Sequence, residues 1–366
     1  MGRLHSGVLW VSLLVSATLA GKLIAGQELI QNPATPTNPK AGRVLKLEEA
    51  VRLSDEGGKF FFRYPLTVKT APDGSMFVLE PDQILQFDAR GGFVHDFYRK
   101  GQGPGEVNYV SGFDFAPGRL IVHSNSPDKI VWYNFQGKML RDISLAKAGS
   151  RFELVFYDRG TYWLRKDVFP PPTGKAEGID VRQFLVAISE DGGSVEETAS
   201  FINKGFRAGG AYVFQESHAL PFGSRYIFFS NSREYAVHLF DTRSRQTVRT
   251  FMRKYRRVKP PAGHRESAII SPDGTRYETP GAEYLEDVNG LYEYKGMLWV
   301  TTSTKDTDKG IFVDVFNLEG KYIDAFWLKL NGPLIAVSKD VIFVREKAPD
   351  ETIRIVGYKV IESEFS

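Results

Sequence analysis

Cysteine is absent from this chain of 366 residues. Its absence excludes disulfides, thiolate metal sites, cysteine nucleophiles and a lipid anchor attached through cysteine. A surplus of charge of one sign is also lacking, since 47 basic residues stand against 44 acidic ones. That balance does not favour nucleic acid as a partner. The Gly-x-Ser-x-Gly pattern of many serine hydrolases does not occur either.

The N-terminal residues have the pattern of a targeting segment. Arg3 and His5 precede the apolar run "GVLWVSLLVSATLA", and Lys22 interrupts that run before it reaches the length of a membrane span. We predict a cleaved signal peptide over residues 1–26, with an uncleaved membrane anchor as the alternative. The protein is then periplasmic or secreted. Residues 27–41, rich in proline and asparagine, are predicted to be a flexible linker before one folded domain over 42–366.

A repeat of about 50 residues fills the rest of the chain. Five segments, from "ILQFDARGGFVHDF" to "VDVFNLEGKYIDAF", alternate in hydrophobicity on both sides of a polar turn, the pattern of a β-hairpin. The residues that precede these turns are Phe87, Tyr133, Ile188, Phe240 and Phe316. Two further short strands precede each hairpin, which gives four strands per unit, as in the blades of a β-propeller. No helical periodicity competes after residue 30.

The last repeat is incomplete, because it has three strands before the chain ends. A spare strand, "RVLKLEE" from Arg43 to Glu49, lies at the other end of the domain. Pairing it beside Ile353–Ile361 completes a sixth blade and closes the ring. The sequence therefore predicts an all-β fold, a six-bladed β-propeller closed by an N-terminal strand.

The segment "RKGQGPGEV" is rich in glycine and could cradle a phosphate or form a corner. A phosphate loop needs a helix after it, and a lysine followed by a hydroxyl residue. Here a strand follows and that pair is missing, so we predict a structural loop between two blades. Its residues are Gly101, Gly103, Pro104, Gly105 and Glu106.

Together "RKGQGPGE", the strand pair "VSGFDFAPGRLIVHS" and the hairpin "YNFQGKML" resemble the six-bladed propeller family related to NHL-repeat and TolB-like proteins. The resemblance covers most of the chain from Gly42. It implies an exported or surface protein of bacteria with a face that binds a ligand. It does not imply a particular reaction, since propellers carry many unrelated activities.

Candidate ligand-binding residues lie on one predicted face. We letter the strands of a blade A to D from the axis outward, and call the face with the D-to-A and B-to-C connections the upper face. Two long insertions map there, and the second, which begins at Met252, contains the later part of a run of nine basic residues without an acidic one, Arg243 to Arg265. The residues we predict to contact a ligand are Asn125, Asn231, Arg253, Lys254, Arg256, Arg257 and Lys259. Alternatively, the asparagine side chains hydrogen-bond to their own backbone turns, and the arginines of the outer strand prevent that exposed edge from pairing with other sheets.

Two hypotheses about function remain open at this stage. In the first, the chain is an exported, non-catalytic propeller that needs no cofactor and binds a protein, peptide or glycan, with an anionic surface as a partner of the basic run. In the second, it is a metal-dependent enzyme of the lactonase or lyase type. Its divalent metal would lie at the axis, where Asp114, His123 and Glu216 are the candidate ligands.

Overall fold

The computed structural model describes residues 27–55, 57–261, 268–272 and 274–361. Six radial sheets form a six-bladed β-propeller, which confirms the predicted fold. Three strands precede the first blade: β1 (Glu28–Asn32), β2 (Arg43–Val44) and β3 (Leu47–Leu53). Blade one has β4 (Thr67–Thr70), β5 (Met76–Glu80), β6 (Gln83–Phe87) and β7 (Phe93–Asp96). Blade two has β8 (Tyr109–Ala116), β9 (Arg119–Asn125), β10 (Lys129–Asn134) and β11 (Met139–Ser144).

The next two blades carry the insertions. Blade three has β12 (Phe152–Asp158), β13 (Thr161–Val168), β14 (Glu177–Ser189), β15 (Val195–Ala208) and β16 (Ala211–Phe214). Blade four has β17 (Ser217–Phe222), β18 (Tyr226–Asn231), β19 (Val237–Asp241) and β20 (Gln246–Arg253). A separate hairpin of β21 (Ala268–Ile270) and β22 (Arg276–Glu278) follows blade four.

The last two blades close the ring. Blade five has β23 (Gly290–Tyr294), β24 (Met297–Asp306), β25 (Gly310–Phe316) and β26 (Tyr322–Leu328). Blade six has β27 (Leu334–Ser338), β28 (Val341–Lys347) and β29 (Ile353–Val360), and β3 is its outer strand.

Closure uses the predicted part of the chain, but the closing strand does not begin at the predicted residue. Antiparallel pairing joins β3 to β29, from Leu53 opposite Ile355 to Leu47 opposite Val360. Arg43, predicted to open this strand, instead lies in β2, which pairs in parallel with β26 of blade five. The guanidinium of Arg43 holds Asp324 through two bonds of 2.9 and 2.8 Å. This ion pair fixes the start of the segment on blade five, so the closing strand begins four residues later than expected.

Residues 27–41 are not a free linker. Strand β1 is a fifth, parallel strand on β20, and the Asn32 side chain donates to Gly320 O (2.8 Å) and accepts from Tyr322 N (2.9 Å). Further on, Asn38 N donates to Ile323 O at 2.9 Å. The segment has few apolar side chains to bury, and its backbone and Asn32 pair instead with the unpaired edges of blades four and five. The flexibility predicted from composition is therefore wrong for this stretch.

The hydrophobic core lies between neighbouring blades. Phe77 and Phe97 pack against Phe113 between blades one and two, and all three are at most 1% exposed. Phe251 and Phe316 fill the corresponding space between blades four and five, with ring centroids 5.1 Å apart. Each blade thus stabilises its neighbours, which makes ring closure important for all six.

Candidate binding face

The glycine-rich loop connects β7 of blade one to β8 of blade two. The carboxylate of Glu106 accepts a hydrogen bond from Gly103 N at 2.9 Å, and Gly105 N donates to Asp142 Oδ2 at 2.9 Å. Pro104 lies in the turn that Glu106 N closes on Gly103 O at 3.0 Å. A Cβ at Gly101 would collide with the Glu106 carboxylate. The carboxylates of Glu106 in the loop and Asp142 in β11 therefore occupy the N–H groups that a phosphate would need, and the loop serves as a corner.

Arg253 has a structural position rather than a ligand-facing one. Its guanidinium donates to Asp314 through Nε at 2.9 Å and through the second terminal nitrogen at 2.8 Å. The Arg253 side chain is 8% exposed and Asp314 is 0% exposed. The rings of Tyr235 and Tyr255 lie 4.9 and 5.0 Å from the guanidinium carbon. We therefore correct the prediction for Arg253: it holds blade four to blade five.

The other predicted cations differ among themselves. Lys254, Arg256 and Lys259 are exposed, and no carboxylate pairs with them among the residues that the structure describes. Arg257 is anchored, since its Nε donates to Asp287 at 3.0 Å and its guanidinium lies 4.6 Å from the ring centre of Tyr284. Arg265, the last of the nine basic residues, lies outside the described residues. The five cations predicted to contact a ligand thus comprise one buried, one anchored and three without a carboxylate partner in the described part.

The two predicted asparagines end equivalent strands of blades two and four. Asn231 accepts from Arg233 N at 2.8 Å, and its amide nitrogen contacts the Asn203 side chain and donates to Gln215 at 3.3 Å. Asn125 Oδ1 is buried without a hydrogen-bond partner within the described ranges. Asn231 therefore closes a local turn and also belongs to a buried amide network, whereas Asn125 does not repeat this arrangement.

A polar cavity of about 450 Å³ follows the axis and is lined by the inner strands of all six blades. Arg165 is its most connected charge, because it donates to Ser217 O at 2.8 Å and contacts the Glu153 carboxylate. His218 also faces the cavity, and burial lowers its pKa. The axis thus has the volume of a small-molecule site and a mixed charge.

The three axial candidates do not form one cluster. Asp114 Oδ1 lies 3.4 Å from Lys69 Nζ, and its other oxygen accepts from Tyr157 N at 2.8 Å. Complete burial lowers the pKa of His123 to about 3. Glu216 is exposed on the upper face. Among the residues that the structure describes, no group of three or more histidine or carboxylate side chains is placed to hold a metal ion.

The two insertions build a rim together on the upper face, the face on which they were predicted to lie. Strands β14 and β15 extend beyond the rest of blade three, and β16 folds back along β15. The turn between β15 and β16 meets the hairpin β21–β22, since a Cβ at Gly209 would lie 2.7 Å from the Tyr277 ring. Ile202, Val213 and Ile270 are 51%, 44% and 67% exposed along this rim. The rim therefore combines aliphatic side chains with a sheet edge.

A cleft of about 450 Å³ separates the rim from the crossover between blades four and five. Ile202, Lys204 and Gln215 line one wall, and Arg257 and Tyr284 line the other. Asn231, Arg233 and the carboxylates Glu234 and Glu283 complete the lining. Two of the residues predicted to contact a ligand, Asn231 and Arg257, therefore lie in this cleft, and Lys204 and Gly205 in "NKGFRAGGAYV" repeat the lysine and glycine of the first crossover.

Comparison with known proteins supports the fold. No family model matches the chain, and no curated protein matches it. A protein from Bacteroides fragilis, described as a predicted exported protein, is similar in structure with a TM-score of 0.58 at 11% identity, over 91% of this chain and 100% of the other. A member of the DUF4221 family from Bacteroides vulgatus has a TM-score of 0.53 at 12% identity, over 87% of this chain and 99% of the other. At these identities the likeness shows the propeller fold alone.

The part of the chain that the structure describes contains no helix with the length and hydrophobicity needed to cross a membrane. The predicted targeting segment, residues 1–26, lies outside the described residues.

Proposed function

We propose that this chain is an exported, non-catalytic propeller of the NHL and TolB-like type that binds a polypeptide through its upper face. Export rests on the targeting pattern that begins with Arg3 and His5. One structural observation carries the binding role: both insertions lie on the upper face and contact each other, leaving three aliphatic side chains exposed there. Exposed aliphatic groups beside polar ones are typical of surfaces that bind proteins.

A polypeptide is favoured over a glycan by the chemistry of the rim. Ile202 and Val213 offer flexible aliphatic contacts beside the edge strand β16, which borders its sheet on one side. An extended peptide can add to such an edge through its backbone and place alternate side chains in neighbouring pockets. The one aromatic ring of the cleft, Tyr284, already lies against Arg257.

The proposal is tested by selecting ligands for the exported chain from a displayed library of random peptides and from a glycan array. We expect peptides to be enriched, and the double variant Ile202→Asp/Val213→Asp to bind them at least about tenfold more weakly, because both substitutions place charge where apolar contact is needed. Leu140→Asp is the matched control, since Leu140 is 46% exposed on the outer strand of blade two. Enrichment of glycans alone, or peptides that bind the rim variant as well as the native chain, would overturn the proposal.

A further inference from the structure

The cleft beside the rim contains an arginine, Arg233, that lies near enough to Glu286 and Asp287 to interact with them electrostatically. Arg233 forms no ion pair with a carboxylate within the described residues, and its Nε is buried without a hydrogen-bond partner. A buried donor without an acceptor is unfavourable unless a ligand or water supplies the missing group. Arg233 N is held at the same time by Asn231 Oδ1 at 2.8 Å, so the backbone that carries this cation is fixed.

The groups around Arg233 are positioned before any ligand arrives. Asp167 accepts from Gln183 at 2.7 Å, and Gln183, Asn203 and Asn231 continue as a chain of side-chain amides to the floor of the cleft. Gln183 and Asn203 are both 0% exposed. A buried polar chain with every member bonded to the next orients its last amide in one way. Asn231 therefore presents a fixed polar edge to the cleft.

The far wall is equally ordered. Asp287, 4% exposed, and the ring of Tyr284 hold the Arg257 guanidinium, which also donates to Arg233 O at 3.1 Å. On the near wall Lys204 is 69% exposed and pairs with Asp180 at 2.7 Å, an exposed pair that a ligand can displace at little cost. Three cations and two carboxylates, Glu234 and Glu283, thus line the cleft, and of the cations only Arg257 pairs with a buried carboxylate.

We infer that this cleft binds a carboxylate side chain, aspartate or glutamate, of the partner polypeptide, with Arg233 as the principal donor. The inference rests on the proposed function. Guanidinium groups bind carboxylates through paired, charge-assisted hydrogen bonds, and a desolvated setting strengthens them. The same peptide continues past Ile202 and Val213, which lie on the same face of the ribbon as Lys204 by the alternation of β15 and its pairing with β16. The partner segment therefore carries an acidic residue flanked by aliphatic ones.

The test uses the peptides selected from the displayed library on the full exported chain. We expect the selected peptides to share an acidic residue beside aliphatic residues. Replacing that acidic residue by its amide should weaken binding to the native chain about tenfold, measured by fluorescence anisotropy. The variant Arg233→Gln should bind the acidic peptide about tenfold more weakly than the native chain does, and should bind the amide peptide with an affinity within about twofold of the native chain's. Raising the salt concentration should weaken only the acidic peptide.

Control variants keep a failure of folding distinct from a failure of binding. Arg243→Gln removes an exposed cation from the turn between β19 and β20 on the opposite face and should leave both affinities unchanged. Arg257→Gln is avoided, because it would leave Asp287 buried without its partner.

If acidic and amide peptides bind equally, the carboxylate inference is overturned while polypeptide binding stands. If no peptide is selected and the acidic polysaccharide polygalacturonate binds in its place, both the inference and the proposed function are overturned.

Discussion

Replacing Arg253 by alanine should destabilise the propeller strongly although the residue belongs to an exposed-looking basic run. Its partner Asp314 is 0% exposed and accepts two bonds from Arg253, at 2.9 and 2.8 Å. Without Arg253 the Asp314 carboxylate keeps hydrogen bonds from the hydroxyls of Tyr235 and Tyr322 but has no cation beside it. Removing one member of a buried ion pair costs about 3–5 kcal/mol. At about 2–4 °C per kcal/mol for a large domain, we expect Tm to fall by about 10 °C.

The measurement is thermal unfolding of the native chain, Arg253→Ala and Lys254→Ala by circular dichroism. Lys254 is the neighbouring residue of the same run but is exposed, so its substitution should change stability by less than about 0.5 kcal/mol. A third variant, Arg253→Met with Asp314→Asn, removes both charges and keeps a side-chain oxygen for the hydroxyls of Tyr235 and Tyr322, so it should recover part of the loss. Equal melting of Arg253→Ala and Lys254→Ala would refute the structural assignment of this arginine.

Two further predictions concern the crossover loop and pH. Gly101→Ala should lower the free energy of unfolding, measured in urea, by about 2 kcal/mol, because a Cβ at φ +155° meets the Glu106 carboxylate. Gly103→Ala should lower it by less than half as much, since its Cβ would lie 3.1 Å from that carboxylate and its φ is not positive. Equal losses for the two variants would contradict this prediction. His123 has a pKa of about 3 in the fold because it is buried, so below pH 6.5 the unfolded chain takes up a proton that the folded chain does not. The contribution of His123 to the free energy of unfolding is therefore present above pH 6.5 and is lost as the pH falls, by about 2 kcal/mol between pH 7 and pH 5. His123→Leu should reduce that slope in urea midpoints measured across the range, and an unchanged slope would be the contrary result.

The blade architecture could be predicted because alternating strands and glycine-containing turns are visible in the local sequence. The glycines that follow four of the hairpin turns, such as Gly91 and Gly320, have φ of +91° and +74°, as tight turns require. The pairing of residues 27–44 could not be predicted, because it depends on which blade edge is free in the folded ring. Composition shows only that this stretch has few apolar residues to bury.

The sequence predicted the face of the candidate site and two residues of its cleft, Asn231 and Arg257. A run of charge in the sequence does not tell Arg253 from Arg257, because the difference lies in partners 61 and 30 residues away. Arg233 carried no signal at all, since its significance comes from a buried nitrogen without a partner and from a wall built by blade three.

The way in which β1 joins blade four determines on which side of the disc the described chain begins. Strand β1 starts with Glu28 opposite Arg249 and ends with Asn32 opposite Arg253, in parallel with an outer strand that climbs from the lower side of the disc. Gln27, the residue before Glu28, consequently lies toward the lower side of the disc, away from the upper face that carries the cleft.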